Sequence, residues 1–350
     1  ITVDESIAED ILATQADTAV VVGTVSDYLT AKGDAKLYNI NLPAGVYLQA
    51  QLTTPANADL DYDLYLLDAE GNILTGSDYY TYINGTAGTL PEALGYITSG
   101  DTATYYLYVL ASEGGSVSES FTLDYSVSTA CDSYEIDESV RQALAFTYGA
   151  GGAYIESRNL SSPIDNDWYV ITVPSSRIYD KLKISATTAS TNTCSVEVYQ
   201  NVASEGYQMK RVGSGNTISV SSGKYYIRVS NAKTMENFDD LDIQNYKLSI
   251  TPILKATGIV ITDLKGSEGL NKVVNYPGYG AHFRTQGSGT LTVYGVLTAT
   301  DSSTGVTYAV GGEQINGLYY SPAWEANNTS ANAIRRGTGT TDSSGKFEID

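Results

Sequence analysis

The sequence is poor in the residues on which catalysis and redox chemistry most often depend. In 350 residues it has one histidine, two cysteines, two methionines and two tryptophans. A serine or cysteine nucleophile needs a base beside it, and His282, within PGYGAHFRTQ, is the single imidazole available. No G-x-S-x-G elbow, H-E-x-x-H helix or phosphate-cradling loop occurs. His282 therefore reads as a surface or turn residue, and no catalytic centre is expected. Among 40 carboxylates nothing singles out an acid pair for glycoside hydrolysis. Cys131 and Cys194 stand at no metal-ligand spacing. They are either one disulfide of an oxidising compartment, which adds about 2–4 kcal/mol, or two unpaired thiols.

Positive charge is scarce as well. Twenty Lys and Arg face 40 Asp and Glu, for a net charge of −20. A phosphate backbone needs clustered basic residues, so nucleic acid is not an expected partner, and adsorption to anionic lipid is disfavoured. No apolar run is long enough to span a bilayer as a helix. No charged-then-apolar leader precedes Ile1. That fits a secreted or cell-surface chain whose signal peptide is gone, and a trimmed sequence reads the same way. The acidity itself leaves two readings: solubility outside the cell, or carboxylates gathered around a hard cation such as calcium.

What the chain does have is sheet. Hydrophobic residues make up 42% of it, enough to fill cores, and 29 tyrosines stand against five phenylalanines. Tyrosine suits a half-buried sheet face, its ring packed and its hydroxyl wet. Short alternating runs are punctuated by Gly, Asn, Asp and Ser, as antiparallel strands and turns require. Several runs occur twice in the same order. VDESI at 3–7 returns as IDESV at 136–140. GDAKLYNINLP at 33–43 returns as IDNDWYVITVP at 164–174, aligning without a gap from Asp34 on Asp165 to Pro43 on Pro174. Because alternate residues share a face, Tyr38, Ile40 and Leu42 match Tyr169, Ile171 and Val173 as inward positions, while the outward ones differ. DLYLLD at 63–68 pairs with SVEVYQ at 195–200, which turns Cys194 inward, and TYYLYV at 104–109 pairs with KYYIRV at 224–229. Phe121, Leu123 and Tyr125 close one copy; Tyr246, Leu248 and Ile250 close the other. The acid–serine phrases thus open two copies of one β-sandwich and are not fragments of an active site.

In this order the phrases resemble the bacterial pre-peptidase C-terminal domain family, related to the collagen-binding domains of clostridial collagenases. The second copy carries YEIDES, DNDWYVITVP and GKYYIRV; the first carries VDES, GDAKLYNINLP, DYDLYLLDAEGN and TYYLYV. The resemblance covers about residues 1–252. It implies a jelly-roll-like antiparallel sandwich that is secreted, non-catalytic and accessory to another domain. It also implies calcium, held where the acidic entrance meets the D-x-D before the aromatic strand. Carried over residue by residue, the ligands are Glu135, Asp137, Glu138, Asp165 and Asp167. The first copy keeps Asp4, Glu5 and Asp34 but has Lys36 for the second aspartate, an ammonium that repels an ion and can pair with the acids. The alternative is an acidic turn capping backbone N–H groups. Asp239, Asp240 and Asp242 form an acidic grouping for which solvation is the favoured reading, and alternation puts Asp59, Asp61 and Asp63 on one face at a strand entrance, a spacing that is poor evidence for a metal.

From about residue 253 the markers change. GTLTVYGVLTATDSSTG and TTDSSGKFEID are strand–turn–strand phrases, the second similar to the closing phrase of carboxypeptidase-regulatory-like and immunoglobulin-like modules. Such modules continue past this phrase, so the chain is a fragment or takes a strand from elsewhere, and an unfilled edge suits another copy. Trp168, Tyr106, Tyr108 and Tyr226 fall on outward faces, where they stack on sugars or a collagen-like helix or, as the favoured reading, are covered by a neighbouring module. Sequons stand at Asn84, Asn159 and Asn328. The expectation is an all-β chain of three tandem antiparallel sandwiches (jelly-roll and Ig-like), 1–129, 130–252 and 253–350, the last incomplete. Its expected role is a self-assembling surface-layer or filament subunit whose partners are copies of itself. The alternative is an accessory region of a secreted peptidase that binds collagen, another matrix polymer or a cell-wall polysaccharide.

Overall fold

The structure, a computed structural model, describes residues 9–10, 20–57, 59–78, 80–83, 86–87, 90–129, 131–188, 194–202, 208–214, 216–232, 244–266, 270–275, 283–287, 290–319 and 335–350. His282, Asp4, Glu5, Asp239, Asp240, Asp242 and the sequons at Asn84 and Asn328 lie outside them. The chain is all-β and falls into two compact units, Ile1–Ser175 with Leu182–Thr251, and Ser176–Lys181 with Pro252–Asp350. Among the described residues no helix is long and apolar enough to cross a membrane.

The first unit holds two sandwiches. Strands of the first are β1 Glu9–Asp10, β2 Val20–Asp27, β3 Ala35–Leu42, β4 Tyr47–Thr53, β5 Asp61–Leu67 and β6 Ile73–Ser77. They continue with β7 Tyr80–Ile83, β8 Thr86–Ala87, β9 Glu92–Ile97, β10 Ala103–Glu113 and β11 Phe121–Ser128. Strands of the second are β12 Leu144–Ala145, β13 Ala153–Leu160, β14 Asn166–Val173, β15 Tyr179–Thr188 and β16 Cys194–Asn201. Then follow β17 Gln208–Ser214, β18 Thr217–Ser219, β19 Gly223–Asn231 and β20 Gln244–Leu254. One sheet of the first sandwich runs β1-β3-β10-β5-β6 and the other β2-β11-β4-β9. Their counterparts run β12-β14-β19-β16-β17 and β13-β20-β15-β18.

The repetition extends to single residues. Tyr105 pairs with Ile40 and Leu107 with Tyr38, as Tyr225 pairs with Ile171 and Ile227 with Tyr169. Leu107 meets Leu66 on its other side, as Ile227 meets Val198. Even the short parallel strands match, Glu9 on Tyr38 and Leu144 on Tyr169. A one-residue slip would turn every core side chain to the wrong face, so the alternating apolar residues fix this register. Tyr38, Ile40, Leu42, Leu64, Leu66, Leu107, Phe121 and Leu123 form the first core. Tyr169, Ile171, Val173, Val198, Tyr225, Ile227, Tyr246 and Leu248 are buried in the second.

The two sandwiches are joined by more than their linker. β7 and β8 leave the first sandwich, and β7 pairs in parallel with β17, Gln208 against Tyr80 and Lys210 against Tyr82. Arg141 forms an ion pair with Asp78. Leu90 of the first sandwich packs with Val140, Trp168, Tyr199, Met209 and Tyr226 of the second. The outward aromatics are therefore covered: Trp168 is 1% exposed and Tyr226 8%. Tyr106, 2% exposed, packs with Leu37 and Leu67, and Tyr108 is half-buried beside them. Alternation had placed these rings on the outer faces correctly. Packing, rather than an exposed stacking platform, is where they end up.

In the second unit, strands β21 Gly258–Gly266 and β25 Thr307–Ala309 flank β24 Leu291–Thr300, with β28 Lys346–Ile349 also on β24. β22 Leu270–Asn275 pairs with β23 Phe283–Gly287, and β26 Gln314–Tyr319 with β27 Arg335–Thr340. Leu297, Ala299 and Val310 form its buried cluster. The KFEI phrase thus ends on a paired strand, with Phe347 and Ile349 buried.

Candidate metal centre

The acidic entrance of the second sandwich is held against β14. The Trp168 N–H donates to the carbonyl of Asp137 at 3.0 Å, which brings residues 135–138 beside the D-x-D of Asp165 and Asp167. Opposite them, β13 carries a bulge: Ile155 pairs with Leu248 and Arg158 with Tyr246, and Ser157 takes a φ of 63° to absorb the two intervening residues. Bulges re-aim side chains, and this one turns Arg158 wholly inward, at 0% exposure.

Arg158 is the cation of the centre. Its guanidinium pairs with Asp137, with Asp132 at 2.7 Å and with Asp167 at 3.2 Å. Its Nε donates to the Tyr169 hydroxyl at 2.7 Å. That hydroxyl lies 2.6 Å from the Tyr246 hydroxyl, which donates to Asp167. Asp132 also accepts from the Asn159 N–H at 2.8 Å. Glu138 accepts from the Tyr47 hydroxyl at 2.5 Å, from Gln49 Nε2 at 2.7 Å and from the Asn166 N–H at 3.1 Å. Tyr47 also reaches Glu135 at 2.9 Å. Asp165 caps the Ser161 N–H.

These bonds leave oxygens over. Glu135 Oε1, Asp137 Oδ1, Asp165 Oδ1 and Gln49 Oε1 are buried without a hydrogen-bond donor, and Asp167 Oδ1 has the ion pair with Arg158 alone. Carboxylate oxygens of Glu135, Asp137 and Asp167 lie within 4.8 Å of one another. A buried acceptor with no donor is costly, and several carboxylates sharing one guanidinium are costlier still. The acids respond as expected. Burial, then the charge of Asp165, pushes Glu135 up to about 8. Burial first, then neighbouring acids, holds Asp137, Glu138 and Asp167 well above the carboxylate range. Asp165 is raised by burial against the pull of the Ser161 N–H. For Arg158, burial acts to lower its affinity for the proton, but Asp167 and Asp137 outweigh it and keep the group cationic.

The donor set suits a hard cation. Calcium takes six to eight oxygens, carboxylates and amide carbonyls among them, at about 2.3–2.6 Å. The unpartnered oxygens of Glu135, Asp137 and Asp165 are of that kind. Of the five residues expected as ligands, Glu135, Asp137 and Asp167 form the close group, with Asp165 and Glu138 interacting beside it. Both Glu138 oxygens already accept hydrogen bonds, and Asp167 is divided between Arg158 and Tyr246. Arg158, Asp132, Tyr47 and Gln49 were not anticipated. The departure at Lys36 was the available signal for one of them. In the first sandwich Lys36 pairs with Asp27 at 2.6 Å, and Tyr38 donates to Asp27 at 3.1 Å. Asp27 pairs with Phe121 as Arg158 pairs with Tyr246, and Lys36 stands where Asp167 does. The same link is made in both sandwiches with its charges exchanged, wholly buried at Arg158 and partly exposed at Lys36 and Asp27.

Other expected residues find simpler places. Asp34, the counterpart of Asp165, caps the N–H groups of Thr30 and Ala31 at 2.9 and 3.0 Å, the turn-capping alternative. Asp63 accepts from Ser112 and from Tyr65 at 3.2 Å, Asp61 is half-buried beside it, and Asp59 is exposed. Cys131 and Cys194 are both free thiols, half-buried; burial first raises each, Cys194 to about 12. Asn159 lies within β13, half-buried, with its side-chain oxygen buried.

No family model matches the chain, and no curated protein matches it. Among solved structures, it is similar to PliG of Aeromonas hydrophila, a periplasmic inhibitor of g-type lysozyme, at 10% identity and a TM-score of 0.23, over 34% of this chain and 96% of that one. It is similar to the CUB1-EGF-CUB2 domains of rat MASP-1 at 10% identity and a TM-score of 0.22, over 70% and 99%. The tandem CBM22 domains of Paenibacillus barcinonensis Xyn10C follow at 11% and 0.19, over 68% and 92%. At such TM-scores these likenesses carry no argument about function.

Proposed function

We propose that the chain is a non-catalytic extracellular structural protein whose first two sandwiches are stiffened by a buried calcium ion, and that it serves as a subunit of a surface layer or filament. The observation that carries this reading is the set of buried, unpartnered carboxylate oxygens on Glu135, Asp137 and Asp165. Asp137, Asp165 and Asp167 are at most 1% exposed, so a substrate has no access to them, and an ion there acts on structure. Calcium would supply the positive charge that the acids lack; Arg158 and Glu138 would hold the acids in position. The net charge of −20 suits an extracellular chain. The accessory-region alternative drew on the family resemblance and on outward aromatics, and of the latter Trp168, Tyr106 and Tyr226 are buried.

Light scattering with sedimentation, in calcium and in chelator, tests both parts. Large ordered assemblies in calcium that dissolve in chelator support the reading. A monomer under both conditions removes the assembly role. Thermal unfolding indifferent to calcium removes the ion.

A further inference from the structure

Resting on the calcium reading, we infer that residues 133–135 form a gate over the centre, sealed by the ring of Tyr134. The other sides of the centre are built from buried groups. Arg158, Asp165, Asp167 and Tyr246 of the second sandwich are buried, as are Tyr47 and Gln49 of the first. Gly95 of β9 pairs with Gln49, and a Cβ there would stand 2.7 Å from Glu138 Cγ and 2.8 Å from Ile136. The acidic entrance therefore sits directly on β9. Along that entrance, exposure is found at Ser133 and Tyr134, and Glu135 beside them is half-buried.

Both ends of this span are tied to the sandwich. Asp132 pairs with Arg158 at 2.7 Å and accepts from the Asn159 N–H at 2.8 Å. On the far side the Asp137 carbonyl takes the Trp168 N–H at 3.0 Å. The middle rests on a ring. The centroid of Tyr134 lies 4.9 Å from the guanidinium carbon of Arg158. Arg158 is wholly buried while Tyr134 is 41% exposed, so the ring covers the cation from outside. Such a contact is weak enough to open and close again without unfolding what surrounds it. Of the close group of acids, Asp137 and Asp167 are held by Arg158, whereas Glu135 rides on the span itself. One Glu135 oxygen accepts from Tyr47 and the other is unpartnered. An ion joining Glu135 to Asp137 and Asp167 thus ties the span to the acids behind it and holds the gate shut.

The test uses the full chain, with calcium affinity measured by calorimetry and release into a fluorescent chelator followed by stopped flow. Tyr134→Ala should release calcium about tenfold faster at nearly unchanged affinity, which means that capture speeds up equally. Tyr134→Phe keeps the ring and should behave as the native chain. In hydrogen exchange, amides of residues 133–136 should be slower in calcium than in chelator, and Tyr134→Ala should quicken them in calcium. Native release rates in Tyr134→Ala overturn the gate and leave the ion site standing. Faster release with affinity falling in step also overturns it, because Tyr134 then supports the bound ion and not its passage. A native chain that binds no calcium at all overturns the calcium reading, and the gate with it.

Discussion

At the scale of the residue, Arg158 decides most. It is the one guanidinium facing Asp132, Asp137 and Asp167, and removing one partner of a buried ion pair costs about 3–5 kcal/mol. Arg158→Leu should destabilise the first unit by that amount in urea denaturation, and Asp167→Leu added to it should recover part of the loss. Asp61 gives a pH test away from the centre. Burial, then Asp63, Glu113 and Asp78, raises it to about 6. A carboxyl held above its unfolded value favours the folded state only while protonated, so its penalty grows as pH climbs from about 4 to 6. Discounted for partial exposure, Asp61→Asn should add about 1 kcal/mol at pH 7 and nothing at pH 3.5. An equal gain at both values would assign the effect to something other than ionisation. The acids of the centre were legible in the sequence because two ordered phrases bring them near. Arg158 was not, because a bulge turns it inward, and Tyr47 and Gln49 were not, because they come from another sandwich. Spacing along a chain carries neither piece of information.

At the scale of the element, alternation specified strands, faces and register, down to Tyr38 and Tyr169 at matching places in matching ladders. It could not specify what lies over an outer face. Trp168 alternates outward as predicted and is then covered by Leu90, a residue 78 positions earlier with no pattern to announce it. The glycine on β9 shows the same limit from the other side. Gly95→Ala should leave each sandwich folded by circular dichroism while costing about 1–3 kcal/mol through overpacking at the boundary. The loss should be visible as faster hydrogen exchange in Tyr80–Ile83. Unchanged exchange there would mean that the acidic entrance does not press on β9.

At the scale of the whole molecule, the ion should act on one unit only. With free calcium at 100 times its dissociation constant, the first unit gains about 2.7 kcal/mol. Calorimetry should then show one transition moving with calcium and another, from the second unit, standing still. Without calcium the centre has the opposite pH dependence from an ordinary salt bridge. Glu135 is lifted from 4.5 to about 8, so between those values the folded chain holds protons that the unfolded chain releases, and stability in chelator falls as pH rises. Calcium competes with those protons, so its affinity should strengthen through the same window. Flat stability from pH 5 to 8 in chelator would show that the acids are not buried together.

The exchanged ion pair has a consequence for how such a chain reaches its native state. Two neighbouring domains with the same topology can trade strands while they fold, and hybrid sandwiches of that kind are a characteristic trap of repeated proteins. Here a hybrid carries its own penalty. β2 set against β14 would place Asp27 beside Asp167, and β13 set against β3 would place Arg158 beside Lys36. Each mismatch confronts like charges, one of them wholly buried, whereas each correct partnership neutralises them. The polarity of this one link thus works as an address label, telling otherwise interchangeable strands which half of the chain they belong to.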